Sequence, residues 1–260
     1  MKTCIFVVIK DEQEYIEDFI RYHINLGIDT LFIFEDIDST SHKSITDKYK
    51  QVSLHSVKDI IPIDAIMHMK EVGKFQYNYI KNGLLWIRNN FDYDWCFCID
   101  SDEYITVTEP LQDVLTAFQD YDGILLYWKN FGCSGHLKKP IYDKPIWEIY
   151  TKECGYAISD LKFKQHTKMC YNMKRLKEEY IVSNHYALGN WVRTDYRVRR
   201  IDPPTFEMMY IRHYITKSWE EYKWKLDKRG MMCKNHRKYD DFFEMQPEYN
   251  DIKNDLINEL

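Results

Sequence analysis

A chain of 260 residues is long enough to bury one large core or two modest ones. Its make-up, 45% hydrophobic and 30% charged with a net charge of −5, is that of a globular protein, and it offers no general electrostatic pull toward nucleic acid or an anionic membrane. No apolar run has the length to span a bilayer, the opening run lacks the features of a signal peptide, and seven cysteines without a CxxC pair suggest a reduced, cytoplasmic protein with neither a disulfide frame nor structural zinc.

Cys4–Ile9 is a continuous apolar run of strand length. After it, Tyr15, Ile16, Phe19, Ile20, His23 and Leu26 recur at helical spacing, and Gly27 is placed to close that helix. Thr30–Glu35 reads as the next strand and ends in the polar loop DIDSTSH. A short helical piece leads to a strand at Val52–Ser56, and a longer helix over Lys74–Asn90 precedes the strand WCFCI. Beyond an acidic loop, Pro110 suits the first turn of a helix carrying Leu111, Val114, Leu115 and Phe118. Gly123–Trp128 is another buried strand.

Strands and helices alternating in this order imply βαβ units, hence an α/β fold with a largely parallel sheet covered on both faces. Ligands of such sheets sit beyond the carboxyl ends of the strands, so the loops after Ile9, Glu35 and Ile99 would share one rim. From about Lys129 the periodicity weakens, without a linker or an internal repeat. Residues 129–260 are therefore expected to continue the domain begun by residues 1–128 and to supply the opposite wall of a cleft. Regular structure returns at Ser218, which with Glu221 makes a capping-box pattern. The helix it opens has Trp219, Tyr222 and Leu226 on its buried face and Gly230 at its stop. The closing stretch EYNDIKNDLINEL reads as an acidic terminal helix.

The stretch that carries chemistry is WCFCIDSDEYITV, Trp95 to Val107. Asp100, Ser101, Asp102 and Glu103 follow an apolar strand, and three carboxylates in four residues repel unless something positive offsets them. In a turning loop, Asp100 and Asp102 can face one hard cation, and Mg2+ and Mn2+ suit such oxygen ligands. An ion so held can bridge a diphosphate and neutralise its charge as it leaves. Acidic triplets are also common in solvated turns; the strand before and Tyr104 and Ile105 turning back into the core favour the metal. A lone acidic cluster in a net-negative chain argues against a two-metal phosphodiesterase or nuclease. The lack of a GxGxxG or P-loop argues against a nucleotidyltransferase. Cys96 and Cys98 share one strand face and read as packing residues; Trp128, Phe131, Trp147 and Trp191 could pack in the core or stack on a sugar.

Taken in order, the stretches IKDEQEYIEDFIRYHINLGID, FIFEDIDSTS, DSDEY, KNFGCSGH and RHYITKSWEEYKWKLDKRG resemble GT-A glycosyltransferases of the family 2-like group, close to glycosyltransferase family 92 and its bacterial and viral relatives. Asp11 stands where the family has Asn, and the resemblance covers most of residues 4–230. It implies a single-domain GT-A fold, a Rossmann-like, mostly parallel sheet flanked by helices. It also implies Mn2+ or Mg2+, a nucleotide-sugar donor (UDP-linked donors fit the metal motif), a carbohydrate acceptor and inversion. By the same resemblance Asp102 is a direct metal ligand, Asp100 a second ligand or a ribose contact, and His213 completes the metal shell or meets the diphosphate. Lys217 offers charge to the leaving phosphate; Lys10 and Glu12 lie by the base, Asp36 and Asp38 with Ser39 by the uridine or ribose, and Gln76 beside the nucleotide. Glu148 is the candidate general base, with Asp143 its competitor; His185 has a family counterpart whose role the residues do not reveal. Structural readings stand beside these: a satisfied core histidine, a surface lysine, capping and turn residues. A membrane-borne acceptor would be reached peripherally, through the basic stretch DYRVRRIDPP. The alternative to catalysis is a degenerate transferase that binds a sugar or a partner.

Overall fold

In the computed structural model, which describes residues 1–66, 75–158, 166–181, 183–198, 203–229 and 238–258, the apolar run at the start forms β1 (Thr3–Ile9). It pairs in parallel with β2 (Thr30–Glu35) on one side and β4 (Trp95–Cys98) on the other, and β3 (Val52–Ser56) pairs in parallel outside β2. Apolar residues stand on both faces of these strands because both faces are covered. Alternate residues of β1 serve different cores: Ile5, Val7 and Ile9 pack with α1 (Ile16–Leu26), while Cys4 and Phe6 pack with Tyr79, Ile80 and Leu84. Gly27, at φ 98°, ends α1 in the left-handed conformation, and its terminal N–H groups bond the carbonyls of His23 and Ile24. A one-turn helix, α2 (Lys43–Thr46), precedes β3, and α3 (Phe75–Asn90) precedes β4.

Beyond β4 the sheet is mixed. After β5 (Glu103–Val107) and α4 (Leu111–Ala117) comes β6 (Gly123–Asn130), and between β4 and β6 lies β7 (Thr167–Asn172), antiparallel to both. The short β8 (Trp191–Arg193) pairs with the start of β6. The far end of β6, Trp128–Asn130, leaves β7 and pairs with β9 (Met209–His213), whose other edge carries β5 in antiparallel register. The strand order is thus β3-β2-β1-β4-β7-β6-β9-β5. The architecture is the expected α/β one, a parallel-cored sheet flanked by helices in one domain. Residues beyond 129 do more than line a cleft, however: β7 enters the middle of the sheet. Its polar residues are buried because each is satisfied, Lys168 by carboxylates, Asn172 by the carbonyls of Gln119 and Tyr121, and Thr167 by the carbonyl of His185.

Further α-helices among the described residues are α5 (Ile146–Ile149), α6 (Trp219–Trp224), α7 (Tyr239–Met245) and α8 (Lys253–Asn258). The capping box of Ser218 and Glu221 opens α6, which continues as the π-helical segment Lys225–Arg229; Gly230 lies outside the described residues. Trp219 and Tyr222 pack on Phe242, Phe243 and Leu256. The described cysteines, Cys4, Cys96, Cys98, Cys133, Cys154 and Cys170, are free. Among the described residues no helix is long and apolar enough to cross a membrane.

Gly83 lets α3 lie against the sheet: a Cβ there would stand 2.1 Å from the ring of Phe6, which is itself packed on Phe34 at 5.3 Å. Gly83→Ala is expected to cost about 1–3 kcal/mol in urea unfolding, and adding Phe6→Leu should return part of that loss.

Candidate functional site

The carboxyl ends of β1, β2 and β4 form one rim, tied by backbone hydrogen bonds from Asp36 N–H to the Ile9 carbonyl (2.9 Å) and from Ile99 N–H to the Phe6 carbonyl (3.4 Å). Asp11 sits in the left-handed region at φ 54°, which Asn and Asp adopt more readily than other side chains. Its carboxylate accepts from the N–H and the hydroxyl of Thr40, both at 2.9 Å. The buried ring of His42 laces the same two loops together. Its Nε2 accepts from Glu12 N–H at 3.0 Å, which leaves Nδ1–H to donate to the Glu35 carboxylate at 3.0 Å. Neither His42 nor Glu35 has a spacing signal in the sequence; only the fold brings them together. Glu12 and Asp36 are buried, Lys10 is half-buried and Asp38 is exposed. Asp36 accepts from Ile37 N–H at 2.7 Å and from the Tyr79 hydroxyl at 3.3 Å. Gln76 lies on α3, and its side chain is outside the described residues.

The acidic loop joins β4 to β5, and β5 brings it to the C-terminal stretch: Glu103 stands directly opposite His213 in the β5–β9 register. Asp102 is 7% exposed. Its Oδ2 accepts from Lys225 Nζ at 3.1 Å, and its Oδ1 lies 3.8 Å from His213 Nε2. Burial alone would raise the pKa of Asp102, but Lys225, His213 and Lys217 outweigh it and hold the carboxyl well below its usual range. The ring of His213 packs on Trp128 with centroids 4.1 Å apart. Its Nδ1 is 3.1 Å from Asn130 Oδ1, and Asn130 Nδ2 donates to the Gly155 carbonyl at 2.9 Å. That second bond fixes which amide atom faces the ring, so Nδ1 carries a proton toward Asn130 and Nε2 faces Asp102 and Glu103.

Asp100 does not join this group. Its carboxylate, 40% exposed, meets Lys168 Nζ at 2.5 Å, and the buried Lys168 is also 3.4 Å from Glu103 Oε1. Burial works against the Lys168 ammonium, yet Asp100 and Glu103 raise its pKa above the ordinary lysine value. For Glu103, burial with the added repulsion of Asp100 and Asp102 outweighs Lys168 and pushes the carboxyl well up. Two aspartates facing one ion, as the spacing suggested, are thus not the arrangement found: a lysine from β7 turns Asp100 aside. Among the described residues no three His, Cys, Asp or Glu side chains form a group that could hold a metal. What is present are two donors, Asp102 Oδ1 and His213 Nε2, beside Glu103 Oε1, a buried oxygen without a hydrogen-bond partner. The pair Asp102 and His213 alone could serve a hard divalent ion only if it took its other positions from phosphate oxygens and water.

A cavity of about 560 Å³ opens between the loop after β1 and the segment from Ile215 to Lys225; Glu12, Tyr15, Lys217, Tyr222 and Lys225 line it, and Lys225 links it to Asp102. Lys217 is buried at a backbone φ of 50°, with its ammonium 3.4 Å from the centre of the Tyr15 ring. Burial lowers its pKa, with Glu12 and Asp102 opposing. The Tyr15 hydroxyl donates in turn to Glu221, which also accepts from Tyr142 (2.5 Å), Tyr150 (2.8 Å) and the Ser218 hydroxyl (2.6 Å). The sequence showed Glu221 only as a cap; three tyrosines distant in the chain make it a knot that fixes one wall of the cavity. Glu148 and Asp143 are exposed and do not line this cavity; Ile146 of the same short helix donates to Asp18 of α1. His185 Nδ1 meets the Thr167 carbonyl at 2.8 Å, and its ring stands edge-on to Trp128. Trp128 and Phe131 are buried in the core, while Trp147 and Trp191 are partly buried against it.

No family model matches the chain, and no curated protein does. Among solved structures it is similar to a mycobacterial protein at 15% identity, covering 52% of this chain and 43% of that one, with a TM-score of 0.34. It is similar as well to glucosyl-3-phosphoglycerate synthase from Mycobacterium tuberculosis, solved with Mn2+, UDP and phosphoglyceric acid, at 21% identity over 52% of this chain and 44% of that one, with a TM-score of 0.32. HddC from Yersinia pseudotuberculosis matches at 9% identity over 86% of this chain and 97% of that one, with a TM-score of 0.43. The chain spans less than half the length of the two mycobacterial proteins.

Lys168 is the cation on which the buried acidic loop depends. Lys168→Met is expected to cost about 3–5 kcal/mol in urea unfolding at neutral pH, because it removes the cation shared by Asp100 and Glu103. The cost should shrink in a Glu103→Gln background, which a double-mutant cycle would measure.

Proposed function

We propose that this chain is a metal-dependent glycosyltransferase that moves a sugar from a UDP-linked donor to a hydroxyl of a glycan or glycoconjugate, with inversion. By the order of its motifs we read it as nearest to family 92. The observation that carries this reading is the meeting of Asp102 and His213, from opposite halves of the chain, with a carboxylate oxygen and an imidazole nitrogen 3.8 Å apart at the ligand edge of an α/β sheet. Asp102 and His213 would hold Mn2+ or Mg2+, and the ion would supply a Lewis acid for a departing diphosphate. Lys217 adds a buried positive charge beside it. Asp100, engaged with Lys168, is better suited to a ribose hydroxyl than to the ion. Lys10, Glu12, Asp36, Asp38 and Gln76, on or near the rim, form the proposed nucleoside side. In this scheme residues 1–128 serve the donor and residues 129–260 the acceptor.

A second reading, a degenerate, non-catalytic transferase that binds a sugar or a partner, draws on one observation: a lysine already occupies the first aspartate of the acidic motif. Calorimetry with UDP separates the two. Transferase function predicts UDP binding that requires Mn2+ and weakens at least about tenfold in Asp102→Asn; no UDP binding at any Mn2+ concentration would remove the proposal. The general base is a separate assignment, to Glu148 with Asp143 as its competitor. Glu148→Gln should leave UDP affinity unchanged and lower transfer by about 100-fold or more, and near-normal transfer in a folded variant would pass the role elsewhere.

A further inference from the structure

The acidic loop is not a bare anionic site waiting for a cation. Its three carboxylates already have three ammonium groups around them: Lys168 on Asp100 and Glu103, Lys225 on Asp102, and Lys217 near enough to Asp102 to act on its charge. Lys168 is buried in β7 and belongs to the sheet. Lys225 differs. It is half-buried, lines the cavity while contacting Asp102, and stands at the junction where α6 gives way to the π-helical turn Lys225–Arg229. Such π-helical turns are rare and are found frequently at functional sites. Its ammonium sits 3.1 Å from one oxygen of Asp102, while the other oxygen faces His213.

We propose, building on the transferase reading above, that Lys225 is the resident counter-ion of the cation site: it neutralises Asp102 when no divalent ion is bound, yields Asp102 to the ion, and then neutralises the nucleoside diphosphate that arrives with it. The reasoning is electrostatic. A divalent ion entering alone adds two positive charges to a cluster whose carboxylates are already offset, so it binds weakly. A diphosphate brings the compensating negative charge, and Lys225, released from Asp102 into the adjoining cavity, is within reach of it. Ion and diphosphate therefore bind as a coupled pair, each raising the affinity for the other by the same factor. Lys225 sets how large that factor is.

Manganese binding, read from the loss of the free-ion EPR signal, tests this without any measurement of activity. Lys225→Met is expected to bind Mn2+ alone about tenfold more tightly than wild type, and the coupling between Mn2+ and UDP in calorimetry is expected to fall by a similar factor. Lys225→Gln, which keeps a hydrogen-bond donor toward Asp102 without the charge, provides the same comparison should the methionine variant fold poorly, and Lys225→Arg should stay close to wild type. Unchanged or weaker Mn2+ binding in both neutral variants, with UDP binding still metal-dependent, overturns the role of Lys225 and leaves the transferase reading standing. Absence of UDP binding in the wild-type chain overturns both.

Discussion

Everything at the ligand edge of this protein depends on how a buried cluster of negative charge is offset. Asp102 and Glu103 are inside the protein, and no hydrophobic packing could hold two carboxylates there without cations brought from elsewhere. Those cations come from β7 and from the turn after α6, elements 65 residues or more away in sequence from the acidic loop. The position of β7 between β4 and β6 is thus an electrostatic matter as well as a hydrogen-bonding one: that strand delivers Lys168 to the mouth of β4. The pairing of β5 with β9 does the same for His213. The sheet order and the charge pattern are one constraint seen from two sides.

Burial also gives each carboxylate a different character. Asp100 is partly solvated and tied to one lysine; Asp102 is buried and strongly stabilised in its ionised form; Glu103 is buried and disfavoured in that form. Three acids with nearly adjacent positions in sequence therefore have three chemistries, set by which neighbour each one meets. Only Asp102 combines a firmly ionised carboxylate with an oxygen turned toward an imidazole nitrogen, which is the reason it and not Asp100 carries the metal assignment.

Much of the first half of the fold was legible in the sequence because its elements carry their own signals. The apolar runs of β1, β2 and β4 are buried on both faces and α1 has a clean helical period with a glycine stop; in the second half, Ser218 and Glu221 form the capping box their spacing suggested. The strands beyond residue 129 were hidden for a physical reason. In β7, TKMCYN reads as a mixed polar segment, and only long-range partners make it buriable. The candidate site was legible to the same degree. Asp102 and His213 could be named separately from motifs, but that they meet depends on the β5–β9 register, to which no local signal points. The lysine that turns Asp100 aside and the histidine that laces the β1 and β2 loops were invisible for the same reason.

Aromatic residues make up 16% of the chain, and Trp128, Phe131, Trp147 and Trp191 read in sequence as candidates either to pack in the core or to stack on a sugar. In the folded protein many of these rings have other work, and the tyrosines show what it is. Tyr15, Tyr142 and Tyr150 converge on Glu221, Tyr22 donates to the Ile105 carbonyl, Tyr79 to Asp36 and Tyr93 to Thr30. Each places an apolar ring in the core and a hydroxyl on a polar group that would otherwise be stranded there. Trp128 works on the same principle without a hydroxyl: its faces and edges meet His213, His185 and Lys168. A sheet whose central strands carry charged side chains needs such residues around it, because they exclude water from the cluster while accepting its dipoles and cations. The aromatic richness of this chain and the burial of its acidic loop are therefore linked: the rings supply the low-dielectric surroundings in which the charges around Asp102 act strongly on one another.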